Sequence, residues 1–130
     1  MKKKMATVLC LALVFLLAAC ASDVKTFEIK GAEKLIVTSG ETGKSIEITN
    51  ADDMKYITDN INALEYSKCE KVNSDGWSYS LQWLDKSGKT MENLTLLGDG
   101  YTVIYDGHYY HGMQIDYEID LAFLDNQFTE

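Results

Sequence analysis

The chain has 130 residues, 46% of them hydrophobic, and a formal net charge of −8 at pH 7. All 12 basic residues are lysine, and there is no proline. A protein this acidic repels phosphate backbones, so nucleic acid is not expected as a partner.

The first element is an address. Lys2, Lys3 and Lys4 precede a charge-free apolar run from Met5 to Ala19, which ends at Cys20 and is followed at once by Ser22, Asp23 and Lys25. A basic head, a short apolar stretch and small residues make the pattern of a secretory signal. A stable membrane span wants about 20 apolar residues, and this run is shorter. Leu17-Ala18-Ala19-Cys20 resembles the lipobox of bacterial lipoproteins. That resemblance implies cleavage before Cys20 and a thioether from its thiol to diacylglycerol. Two acyl chains give stable membrane attachment where one does not. The expected organisation is a signal peptide at 1–19, a lipidated cysteine and tether at 20–26, and one small domain at 27–130. The protein would be exported and anchored to the outer face of the membrane. Plain secretion is the alternative, because Ala19-Cys20-Ala21 also fits an A-x-A cleavage site.

Losing residues 1–19 leaves 111 residues, enough for one core. The net charge falls to −11, because three lysines leave and no acid does. Of three cysteines, Cys10 goes with the signal and Cys20 with the lipid. Cys69 then has no intrachain partner. It reads as a small buried hydrophobe on a strand, with a reactive or intermolecular thiol as the alternative.

Along the domain, Phe27–Lys30 and Lys34–Thr38 read as short strands. Residues 39–43 form a glycine-containing turn, and Lys44–Thr49 returns as a strand. The period then changes. Met54, Ile57, Ile61 and Leu64 fall three and four apart, which predicts a helix over about 51–64. Asn50 or Asp52 can cap it, and Asp53 complements its positive end. Further strands are expected at Tyr66–Lys71, Gly76–Leu84, Thr90–Leu97, Tyr101–Tyr105 and from His108. In the second of these Trp77, Tyr79, Leu81 and Trp83 share a face. Asp85–Gly88 and Asp106-Gly107 mark hairpins. A strand to about residue 117 and a short helix to about 126 complete the chain. The expected fold is α+β: an antiparallel meander with one main helix on one face and a short C-terminal helix.

The search for chemistry gives little. Gly76-Trp77-Ser78-Tyr79-Ser80 lacks the final glycine of a nucleophile elbow, and Ser78 sits within a strand. His108 and His111 are the histidine pair a metal could use, but residues three apart on a strand face opposite ways. Asn73–Gly76 resembles the start of a calcium loop, yet the twelfth position is Leu84 where glutamate is needed. No phosphate cradle opens a helix. The sequence therefore points to no enzyme and no cofactor. Trp77, Tyr101, Tyr105, Tyr109 and Tyr110 are dense in one half of the sheet. They are core residues or an exposed binding patch for a protein or glycan.

The mature part resembles small uncharacterised lipoproteins of Firmicutes. The resemblance rests on the hairpin and helix, on Gly76-Trp77-Ser78-Tyr79-Ser80-Leu81-Gln82-Trp83, and on the turn Asp85-Lys86-Ser87-Gly88-Lys89. It implies no active site. A non-catalytic binding module at the cell surface is the leading expectation. A small-molecule or metal-binding lipoprotein and an enzyme are the alternatives. Intact mass of the membrane fraction is expected to show a diacylglyceryl adduct on Cys20 at the new N-terminus. Unmodified protein beginning near Ser22 would show plain secretion instead.

Overall fold

A computed structural model describes residues 24–72, 76–114 and 117–129. Residues 17–20, where a lipobox is expected, and Asn73–Asp75 lie outside them. The elements are β1 (Val24–Lys25), β2 (Lys34–Ser39), β3 (Ser45–Ile48), α1 (Ala51–Asn62), β4 (Tyr66–Cys69), β5 (Tyr79–Leu84), β6 (Thr90–Leu96), β7 (Thr102–Tyr105), β8 (His108–Gly112) and α2 (Leu121–Gln127). Among the described residues the strands form one eight-stranded sheet in the order β1-β4-β8-β7-β6-β5-β2-β3. Every neighbouring pair is antiparallel. The fold is α+β.

Local chemistry explains the elements. Strands β5 to β8 form a meander, and its last hairpin turns on Asp106 at φ 50° and Gly107 at φ 75°. Two consecutive positive φ values define the turn that matches strand twist, and Asp-Gly is suited to it. Asn50 caps α1 by accepting hydrogen bonds from the Asp52 and Asp53 amides at 3.0 and 3.1 Å. Both aspartates sit at the positive end of the helix dipole.

α1 links β3 at one edge of the sheet to β4 near the other, so it crosses the sheet face. Met54, Ile57 and Ile61 bury into a core with Leu35, Val37, Leu81, Trp83 and Leu94. Thr58 is buried on the same side, where its hydroxyl accepts the Trp83 indole N–H at 2.9 Å. The helix ends at Asn62, slightly before the expected limit, but Leu64 remains buried. The other face of the sheet carries no described element. Ser45, Thr38, Ser80 and Thr95 lie there side by side.

The N-terminal segment differs from expectation. The strand predicted at Phe27–Lys30 is not a strand; β1 forms earlier, at Val24–Lys25, within the expected tether. Phe27 and Ile29 are still buried. Their alternation reports burial correctly, but the backbone partner is a side chain. The Asn62 carboxamide accepts the Ile29 N–H at 3.1 Å and donates to the Ile29 carbonyl at 2.8 Å. At the C-terminal side β8 ends at Gly112, and residues 115–116 of the expected longer strand lie outside the described residues. The short helix is present at Leu121–Gln127.

Asn62→Ala removes both bonds to Ile29 and is expected to cost about 1–3 kcal/mol in chemical denaturation. Ile57→Ala, which empties a fully buried site, is expected to cost about 2–5 kcal/mol. Losses under about 0.5 kcal/mol, typical of surface positions, would contradict the crossing-helix arrangement.

Candidate functional site

The meander and the β2–β3 turn bring three loops together at one end of the sheet. β2 ends at Ser39, β5 begins at Tyr79, and the loop of residues 97–101 joins β6 to β7. Gly40 makes the close approach possible. A Cβ there would stand 2.0 Å from the Trp77 carbonyl oxygen, and the Gly40 amide donates to the Ser78 carbonyl at 2.8 Å. Above this junction lies a cavity of about 620 Å³ lined by Gly40, Glu41, Val72, Trp77, Asp99 and Asp125, among others. A second cavity of about 620 Å³ shares Gly98, Asp99 and Leu121 with it. That one continues past Tyr56, Tyr117, Glu118 and Asp120. The two adjoin at these residues, between the loop of residues 97–101 and the segment that leads into α2, and are together called the groove.

The groove has aromatic walls and acidic edges. Trp77 is 40% exposed, Tyr56 50% and Tyr117 48%. Glu41, Asp99, Glu118, Asp120 and Asp125 line it, and among the described residues no lysine does. Lys44 lies in the adjoining cleft behind Tyr79.

Several of these groups are held firmly. The Tyr79 hydroxyl donates to Asp125, and its ring stacks on Phe128, which docks α2. Burial, the bond to Asp125 and the charges of Asp125 and Glu41 all push the Tyr79 hydroxyl pKa up. The phenol therefore stays a donor. Tyr56 donates to Asp120 at 2.7 Å and packs on Phe123 at 4.7 Å between ring centres. The bond to Asp120 and its charge raise the Tyr56 pKa as well. Asn60 accepts the Asp120 amide at 2.9 Å and donates to the Glu118 carbonyl at 3.1 Å. Tyr56 and Asn60 of α1 thus line the second cavity.

Asp99 organises the loop of residues 97–101. It accepts the Tyr101 and Thr102 amides, each at 2.8 Å, and the Thr102 hydroxyl at 2.6 Å. The Thr102 oxygen also lies 3.3 Å from His111 Nδ1. Burial works to raise the Asp99 pKa. The three hydrogen bonds and the nearby His111 ring outweigh it, so the carboxyl is held below the ordinary carboxylate value. Asp99 is a fixed anion.

The five nominated aromatics do not form one patch. Trp77 lies just before β5 begins, so it shares the parity of Tyr79 without its burial and opens into the groove. Tyr101 stands beside His111 at 5.9 Å and lines a separate shallow cleft with Gly112, Met113 and Gln114. Tyr105 and Tyr110 pack against the core; Tyr105 meets Phe27 edge-on at 5.2 Å, with the Lys25 ammonium 4.4 Å from its ring centre. Tyr109 pairs with Ile104 and Cys69 on the uncovered sheet face. Tyr56 and Tyr117 were not legible as site residues. The signal for Tyr56 is a ring on the polar side of an amphipathic helix.

The histidines separate as strand geometry requires. His108 pairs with Tyr105 on the α1 side, whereas His111 pairs with Thr102 on the other. Among the described residues no three His, Cys, Asp or Glu side chains are arranged to hold a metal. Cys69 is half-buried on β4, and burial together with the Asp99 charge pushes its thiol pKa up. It stays a protonated thiol at neutral pH. Compared with known proteins, the chain matches no family model, no curated protein and no solved structure.

Because the Asp99 pKa is lowered on folding, its contribution to stability is complete above the ordinary carboxylate range. That contribution is lost as pH falls through the folded value. Thr102→Val removes one donor at nearly constant volume. The Asp99 carboxyl carbon, followed by NMR, is expected to titrate at higher pH in the variant, with acid unfolding beginning earlier. An unchanged titration would contradict the assignment of the Thr102 bond.

Proposed function

We propose that this chain is a non-catalytic binding module, exported and anchored through diacylglyceryl-Cys20 to the outer face of the membrane. Its groove recognises a cation-bearing protein segment. The anchor reading is supported by the sequence of residues 2–20. The binding reading is carried by one observation: among the described residues, a concave site with exposed Trp77, Tyr56 and Tyr117 is edged by five carboxylates and lined by no lysine.

The chemistry follows from the wall. Tryptophan and tyrosine offer large contact area with a polar handle. Their faces attract lysine and arginine side chains within about 6 Å of the ring centre. Carboxylates along the edge steer cations in and anions away. The Tyr79 and Tyr56 hydroxyls are already committed to Asp125 and Asp120. They fix carboxylates in place rather than acting as proton donors to a substrate. A membrane tether raises local concentration, so modest affinity suffices.

Tryptophan fluorescence tests this directly, because Trp83 is fully buried and Trp77 is not. A short lysine-rich peptide is expected to shift the emission of the lipidated protein in detergent, and its glutamine counterpart is not. The shift should vanish in Trp77→Phe and weaken in Asp125→Asn. Caesium should quench Trp77 more strongly than iodide. Equal response to both peptides, or stronger quenching by iodide, would overturn the cation-selective reading.

A further inference from the structure

The two faces of the sheet differ in charge. Cross-strand partners point to the same side. The registers therefore place Ser45, Thr38, Ser80, Thr95, Ile104 and Tyr109 in one continuous row on the face opposite α1. No carboxylate stands in that row. Beside it Glu47 is paired with Lys34 at 3.3 Å. The mature chain carries 20 acidic residues against nine lysines, yet among the described residues this wide face presents two carboxylates, Glu47 paired with Lys34 and Asp99 bonded to the Thr102 hydroxyl at the loop end of the sheet. The α1 side and the groove are more acidic: Asp52 and Asp53 on the helix, beside the Lys55–Asp59 pair, and Glu41, Glu118, Asp120 and Asp125 at the groove.

The tether arrives at this same face. Val24 aligns with Ser67, His111 and Thr102, which places it on the uncovered side at the sheet edge. It is 47% exposed. Cys20 stands four residues upstream. Four residues reach at most about 14 Å, whereas eight strands about 4.8 Å apart span about 34 Å when flat. A lipid on Cys20 therefore holds the β1 edge close to the bilayer.

We propose that the uncovered sheet face lies against the headgroup surface of the membrane, with α1, α2 and the groove turned away from it. This rests on the lipid anchor at Cys20 proposed above. The physical selection is electrostatic. A bacterial bilayer rich in phosphatidylglycerol repels a carboxylate-bearing surface within a Debye length, about 8 Å at physiological salt. Of the surfaces the short tether can bring down, this one meets the least repulsion. Its hydroxyls and amides can bond headgroup phosphate and ester oxygens, and Tyr109 and Ile104 give it an apolar side next to the anchor. The groove then opens outward, where a partner can reach it.

The test uses lipidated full-length protein in phosphatidylglycerol vesicles, with a fluorescent thiol label in a Cys69→Ser background. Labels at Thr95→Cys or at the exposed edge position Ser45→Cys report the uncovered face. A label at Lys55→Cys reports α1, whose Lys55 side chain is exposed. A headgroup-attached quencher is expected to quench the Thr95 and Ser45 positions severalfold more than Lys55. Equal quenching, or stronger quenching at Lys55, in protein that floats with vesicles would overturn the orientation and leave the anchor standing. Failure to float would overturn the anchor, and this surface with it. Burial of the Thr95 label in detergent, with a doubled mass, would show a second copy on this face and overturn the membrane assignment.

Discussion

Three polar side chains on one helix hold this molecule together. α1 crosses the sheet and fills the core with Met54, Ile57 and Ile61, but apolar contact alone would leave neighbouring segments without hydrogen-bond partners. Thr58 accepts the buried Trp83 indole N–H. Asn62 takes both backbone groups of Ile29, and Asn60 takes the Asp120 amide and the Glu118 carbonyl. An unpaired buried backbone group costs as much as a lost hydrogen bond. The two asparagines thus act as surrogate strands for segments that join no sheet. One segment carries the chain from β1 to β2, and the other carries it into α2.

That constraint reaches the site. The segment from Tyr117 to Asp120 forms one wall of the groove, and Asn60 fixes it to α1. Tyr56, one turn earlier, adds its bond to Asp120 and its contact with Phe123. The opposite wall depends on Gly40, which lets the β2–β3 turn lie against the Trp77 carbonyl. Carboxylates that repel one another are thereby held around a cavity. Asp99, Asp120 and Asp125 each accept side-chain or backbone hydrogen bonds that fix their positions. The row Ser45, Thr38, Ser80 and Thr95 on the uncovered sheet face carries no acid.

Much of the fold is legible in the sequence because it is local. Met54, Ile57 and Ile61 recur at helical spacing, and Asp106-Gly107 can hardly form anything but a tight hairpin. Leu81 and Trp83 alternate with Ser80 and Gln82, and the sheet obeys the alternation. Phe27 and Ile29 also alternate, but the pattern records which side is buried and not what the backbone bonds to. Asn62 lies 33 residues away. Trp77 was assigned to the strand by parity, and parity fails because β5 begins two residues later. The groove was not legible at all. It arises from contacts such as Tyr79 to Asp125, 46 residues apart, and Tyr56 to Asp120, 64 apart. No spacing rule connects such pairs.

The central claim is that α1 and the two segments it clamps form one cooperative unit. Native-state hydrogen exchange of the amides of Ile29, Asp120 and the middle of α1 measures this most directly. The account predicts that the Ile29 and Asp120 amides exchange with the same opening free energy as the α1 amides, and that all three respond together to denaturant. Fast exchange at Ile29 and Asp120 while α1 stays protected would contradict it.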